Sequence, residues 1–265
     1  MNETRSRWRT VVRLAPTVLS AMGLSVLGLV IVRALVPAST LARTNDVVGN
    51  YLQTLGTVDA VLLAFVVFVV WTQFDAARNQ TASEANEVLD VYRTARGLPE
   101  RVRVPLQDAM RRYVDAVLAE EWRAMNYDDA RVIERAAQIL DEGWQALQSF
   151  EHGSECHFTL YAEALSRFND LSDRRTARLV SARTRIPFAM RLLLYTGAVI
   201  VVGSMWLFGV ESLSVHVIMT AALAGAISHI LYLVDDLDAC FEGEWHVSRG
   251  PFERVQEIMR QRRQV

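Results

Sequence analysis

The sequence predicts an all-α integral membrane protein, with four transmembrane helices in two pairs flanking a cytoplasmic helical domain. Three observations carry this. Four apolar stretches, Leu14–Val36, Leu52–Phe74, Phe188–Gly209 and Leu213–Val234, each reach the roughly 20 residues a helix needs to cross about 30 Å of hydrocarbon. The segment between the pairs is rich in Arg, Asp and Glu, which is why mean hydropathy is only slightly positive. Nothing alternates with period two for long enough to form a strand. The expected domains are a first transmembrane hairpin (1–74), a cytoplasmic helical domain (75–187), a second hairpin (188–234) and a cytoplasmic tail (235–265).

The first stretch follows Arg5, Arg7, Arg9 and Arg13 and ends near Val36-Pro37-Ala38, a sequence that looks like a signal-peptide cleavage site. A signal core runs about 7–15 residues, and this stretch is longer, so retention as an anchored helix is expected. The second stretch is bulky and apolar all round from Val61 to Trp71. Such a helix faces lipid or lines a dry constriction, and the residues alone leave both open. No Gly or Pro interrupts Trp71 through Arg96, so this helix is expected to continue out of the membrane.

The middle domain reads as about four helices. Leu106, Met110, Tyr113, Val117 and Met125 sketch one apolar stripe; Ile133, Ala137, Leu140, Trp144 and Leu147 form a second, and Phe158, Tyr161, Leu165 and Phe168 a third. Turns are signalled at Gly97-Leu98-Pro99, Asn126–Asp129 and Gly153-Ser154, and the last helix runs up to the third span with a break at Pro187. Small residues mark the remaining spans: Ala21, Gly23, Ser25 and Gly28 in the first, Gly197, Gly203 and Ser204 in the third, and Ala221, Ala222, Ala224, Gly225, Ala226 and Ser228 in the fourth. They let backbones approach where lipid gives no hydrophobic drive to association.

Arginines crowd before the first span, after the second, before the third and after the fourth, whereas the loops Pro37–Tyr51 and Val210–Ser212 carry only Arg43. The positive-inside rule then places both termini and the middle domain in the cytoplasm. All 28 basic residues are Arg, a usage that suggests a bacterial source and hence the inner membrane. The short outer loops exclude an extracellular protein interface of standard size. Cys156 and Cys240 both fall on the reducing side, which argues against a structural disulfide. A net charge near −2 gives no case for nucleic acid. No G-x-S-x-G, phosphate loop, dinucleotide fingerprint or H-E-x-x-H occurs, so neither an enzyme nor a bound cofactor is expected.

Ionisable groups within the spans are the candidate functional residues, because burying them costs several kcal/mol unless they are partnered. Arg33 and Asp59 lie near the outer face, their depths differing by about 8 Å at 1.5 Å per residue. They read either as a buried pair or, for Asp59, as a ring at an outer pore mouth that would favour cations. His229, near the inner end of the fourth span, reads as a hydrogen-bonded packing residue or as a pH-sensitive group beside a conduction path. Asp235, Asp236 and Asp238 are candidates for a divalent cation, against solvation or Arg pairing; they lack the spacing of an EF-hand loop. His152, Glu155, Cys156 and His157 form the one His/Cys cluster in the sequence, without a second pair to complete four ligands.

The chain resembles the bacterial bestrophin-like membrane proteins. The resemblance is carried by Trp71-Thr72-Gln73-Phe74-Asp75-Ala76-Ala77-Arg78, Tyr92-Arg93 with Leu98-Pro99, and Tyr113 with Glu121-Trp122-Arg123-Ala124-Met125. It continues in Asp238-Ala239-Cys240-Phe241-Glu242-Gly243 leading to Val247-Ser248 and Pro251-Phe252, and so covers about residues 55 to 255. Bestrophins proper are ion channels, usually pentameric and mostly anion-selective, with bacterial relatives that can prefer cations. The resemblance implies a homo-oligomer, by analogy a pentamer, whose second span lines an apolar neck. One face of that span, Val61, Phe65, Phe68 and Thr72 at 4-3-4 spacing, is the candidate neck, gating by dewetting. Cys240 departs from the family, which commonly has Pro before Phe here, and this puts in doubt any transfer of a clasp or calcium role to the neighbouring aspartates.

The expected function is therefore an oligomeric ion channel whose partners are the lipid bilayer and inorganic ions. The alternative is a non-conducting scaffold acting through its cytoplasmic helices, since no polar stripe runs through any span. A transporter would call for discontinuous helices and an internal repeat, which are not evident.

Overall fold

Long uninterrupted helices follow from the scarcity of Gly and Pro. The computed structural model describes residues 2–127, 130–151 and 155–261, and among these there is no strand. The elements are α1 (Asn2–Leu35), α2 (Ala38–Ala42), α3 (Asn45–Thr94), α4 (Glu100–Ala116), α5 (Trp122–Tyr127), α6 (Ala130–Gln148), α7 (Glu155–Arg183), α8 (Phe188–Met205), α9 (Leu213–Asp238) and α10 (Gly250–Gln261). A 3-10 turn at Ala95–Gly97 precedes α4, and one π-helical stretch, Val117–Glu121, joins α4 to α5. α1, α3, α8 and α9 contain the four stretches long and apolar enough to cross a membrane. Helix α3 runs unbroken for 50 residues, about 75 Å.

The chain divides into two compact units. The first holds the described residues up to Thr72 together with Arg185–Asp238; the second holds Gln73–Thr184 and the described residues from Ala239 onward. The expected tail is thus split: its first residues finish α9 and the remainder joins the second unit.

In the first unit α1 packs most extensively on α9, where Gly225 takes the side chains of Met22 and Val18. Gly28 of α1 receives the Trp206 indole so closely that no Cβ would fit. Helix α8 ends at Met205, four residues short of the expected Gly209, for a tertiary reason. The Gly209 N–H donates to Asn45 Oδ1 at 2.8 Å and Asn45 Nδ2 donates to the Gly209 carbonyl at 3.3 Å. Gly209 also lies against the backbone of Ala38 and Ala42, which only a residue without Cβ allows. At the other end of α8 the expected break falls at Pro187, which is the N-cap. Asp238 holds that entry: it accepts from Ile186 N–H at 2.8 Å and Arg191 Nη2 at 2.7 Å, and its carbonyl accepts from Arg185 Nη1 at 2.9 Å.

The second unit has a continuous apolar core including Leu106, Met110, Tyr113, Leu147, Phe168 and Leu171. Two expected stripes are displaced slightly. On α6 the buried seam runs through Ala136, Leu140, Gly143 and Leu147, and on α7 through Ala164, Phe168 and Leu171, leaving Phe158 exposed. α10 packs on α4, and the Trp122 ring meets Phe241 and Phe252 edge-on at centroid distances of 5.4 and 6.4 Å.

Candidate functional site

The membrane stretch of α3 presents two opposed faces. On one, Asp59, Leu63, Val66 and Val70 are buried within the first unit. On the other, Val61, Phe65 and Phe68 are 64%, 56% and 67% exposed, and Thr72 is exposed beside them. Two residues along a helix turn about 200°, so the 59-63-66-70 and 61-65-68-72 series lie back to back. The Thr54, Thr57 and Thr72 hydroxyls donate to the carbonyls of Asn50, Gln53 and Phe68 at 2.7–3.0 Å, so each is satisfied by its own helix. The exposed face is therefore bulky and apolar, with the protons of its few hydroxyls already donated.

Asp59 is 5% exposed and its carboxyl sits over Gly197 of α8, in a place a Cβ would occupy. That geometry corrects two expectations. Asp59 cannot form a pore-mouth ring on the same face as Phe65 and Phe68. Nor does it pair with Arg33, whose Nη1 donates to the Val210 carbonyl and lies 3.4 Å from His216 Nδ1. His216, fully buried, bonds the Met205 carbonyl through Nε2 at 2.8 Å. Sequence depth matched Arg33 to Asp59, but only the folded chain shows which way each points.

The remaining candidates separate. His229 lies on an exposed part of α9, so within the protomer it is not a packed core residue. Asp235 accepts from the Tyr195 hydroxyl and lies 3.6 Å from Arg191 Nε, and Asp238 is bonded at the entry of α8. Asp236 also has an interaction of its own. Pairing, not a shared ion, accounts for the Asp235 and Asp238 carboxylates, and among the described residues no three His, Cys, Asp or Glu side chains converge to hold a metal. His152 and the side chains of Glu155 and Cys156 lie outside the described residues.

A family model described as a bestrophin-like domain matches residues 19–252. The chain belongs to the bestrophin-like family. No curated relative matches. Among solved structures, a bacterial bestrophin homologue from Klebsiella pneumoniae, in one single-substitution form, is 18% identical, with 91% of this chain and 98% of that chain covered and a TM-score of 0.70. A second substituted form is 17% identical over 92% and 98% of the two chains, TM-score 0.69. A form phased on zinc is 16% identical over 92% and 96%, TM-score 0.65. At these identities the likeness establishes a shared fold.

In this bestrophin-like protein the second unit also contains a buried ionic cluster that the sequence did not single out. Arg178, fully buried, donates from Nε to Glu84 Oε2 at 2.5 Å, from Nη2 to Glu84 Oε1 at 3.1 Å, and from Nη2 to Glu121. Arg175 Nη2 donates to Glu121 Oε2 at 2.7 Å and to the Ile133 carbonyl at 2.8 Å. The Tyr113 hydroxyl donates to Glu84. Two acids thus face two guanidinium groups, and the charge closes. Burial raises the Tyr113 phenol well above its ordinary 10.0, reinforced by Glu84 and Glu121. Burial pulls Arg178 down, but attraction to Glu84 and Glu121 outweighs it and holds the guanidinium firmly charged. The π-helical stretch is where Glu121 enters the core: one wide turn re-aims a side chain that an α-helical register would place elsewhere. The available signal was the word Tyr113…Glu121-Trp122, whose acid and aromatics are all buried.

Proposed function

We propose that several copies of this chain assemble in a bacterial inner membrane as an ion channel, with the Val61-Phe65-Phe68-Thr72 face of α3 around a shared axis. The observation that carries this reading is that face itself: three large apolar side chains and one self-satisfied hydroxyl, left uncovered by a protomer that buries the opposite side of the same helix. Such a ridge needs a cover of lipid or of its own copies. The resemblance to bestrophins, which are ion channels, gives copies around an axis a use for it as a neck that closes by dewetting. Both termini and the second unit would lie in the cytoplasm, the bilayer and inorganic ions would be the partners, and a pentamer is the stoichiometry the resemblance suggests.

The purified protein is expected to elute as a multimer and to pass ion current in planar bilayers. Phe65→Ala and Phe68→Ala should each change that current severalfold by widening and wetting the neck. A multimer without current, or one whose current ignores both substitutions, supports the scaffold reading instead.

A further inference from the structure

Behind the exposed face of α3, within the first unit, an open groove of about 900 Å³ runs between α3, α8 and α9. Its walls are aliphatic, formed by residues such as Leu63, Val67, Val201, Leu223 and Ile230, and among the described residues Asp59 is the one ionisable group lining it. Asp59 is 5% exposed as a residue, and its carboxyl has no hydrogen bond or ion pair with the described residues and rests on the bare backbone of Gly197. It stands about 10 Å along the helix from Leu52, where the apolar stretch begins. A carboxylate at such a depth normally finds a partner, because isolation there costs several kcal/mol. Among the described residues there is none: Arg33, the nearest basic residue in depth, is engaged by Val210 and His216.

We propose that this groove is a binding site for lipophilic organic cations, meaning onium ions and protonated hydrophobic amines, with Asp59 as the counter-charge. The chemistry of the walls selects the class. A small inorganic cation gives up its hydration shell only to several oxygen ligands. Here one carboxyl faces a wall of CH groups, so a bare metal ion would lose far more hydration than it regains. A cation that carries its own apolar coat loses little hydration, buries its body against the aliphatic walls and places its charge near Asp59. Met205 and Met219, also in the lining, add side chains that adapt to different shapes. Gly197 is part of the site because it leaves room for the carboxyl. The proposal does not rest on conduction, since the groove and the exposed Phe65 face lie on opposite sides of α3.

The test is equilibrium binding of tetraphenylphosphonium to the full-length protein in detergent, with tetraphenylborate, of similar shape and opposite charge, as comparison. The expected result is saturable binding of tetraphenylphosphonium that tetraphenylborate does not displace. Asp59→Asn should weaken it about tenfold or more. Asp59→Glu should retain it, and Gly197→Ala, by displacing the carboxyl, should weaken it. Leu193→Ala, on an exposed part of α8, should leave it unchanged. Equal binding by wild type and Asp59→Asn, or displacement by tetraphenylborate, would overturn the proposal. A changed assembly size in Asp59→Asn would instead assign the groove to a neighbouring copy and overturn it equally. Asp59→Glu keeps the question open to test even should Asp59→Asn fail to fold.

Discussion

The two units handle buried polarity in opposite ways. In the second, Glu84, Glu121, Arg175 and Arg178 neutralise one another and Tyr113 completes the network. In the first, Asp59 has no partner, the buried Ser25 and Thr220 hydroxyls and the Trp206 indole N–H lack hydrogen bonds, and Leu24, Phe65, Phe68 and Val199 are more than half exposed. The second unit pairs its buried charges within the chain, although Gln73 Oε1, Glu87 Oε2 and Arg175 Nε lack hydrogen bonds there too. The first is complete only with something around it: lipid, other copies, or a ligand in its grooves. Function should therefore be sought in the first unit, and the deepest effects on stability in the second.

The contrast can be broken by mutation. Arg178→Ala leaves two buried carboxylates without their main partner, and should lower the free energy of chemical unfolding by about 3–5 kcal/mol. Asp59→Asn, which removes a charge that has no partner to lose, should leave unfolding unchanged or slightly improved. A large loss there would mean that Asp59 is paired after all. Tyr113→Phe removes a donor to a buried carboxylate and should cost about 1.5–3 kcal/mol in the same measurement. It should also change the pH profile. The phenol is held neutral by the fold, so below its ordinary value of 10.0 folded and unfolded chains carry the same proton there. Above 10.0 the unfolded chain ionises while the folded one resists, so wild-type stability falls as pH rises, and Tyr113→Phe should lose that component. At the small end, Arg249→Ala breaks an exposed i,i+4 pair with Glu253 and should shift stability by about 0.5 kcal/mol or less.

What the sequence made legible was whatever depends on length and local propensity. The run of α3 beyond Trp71 was readable because no Gly or Pro interrupts Trp71 through Arg96, and the start of α8 because Pro187 cannot continue α7; the start of α3 at Asn45, within the stretch expected to be an outer loop, was not. The end of α8 was not readable, since it depends on Asn45 reaching Gly209 across 164 positions of sequence. Depth in the membrane follows from counting residues; direction around the helix depends on neighbours the sequence does not name. Hence Arg33 and Asp59 match in depth yet point into different surroundings, and nothing in the sequence marks His216, which bonds the Met205 carbonyl and lies near Arg33. The π-helical stretch at Glu121 leaves no local mark, because the core ion cluster it serves is assembled from α3, α4 and α7.

The back-to-back division of α3 supports the whole account, and modification of single introduced cysteines by a water-soluble charged thiol reagent tests it most directly. In the assembled, reconstituted protein, Phe65→Cys and Phe68→Cys should react and their current should change on modification, while Leu63→Cys and Val66→Cys should stay inert. Reaction on the Leu63 side, or silence at both phenylalanine positions, would contradict a neck on that face.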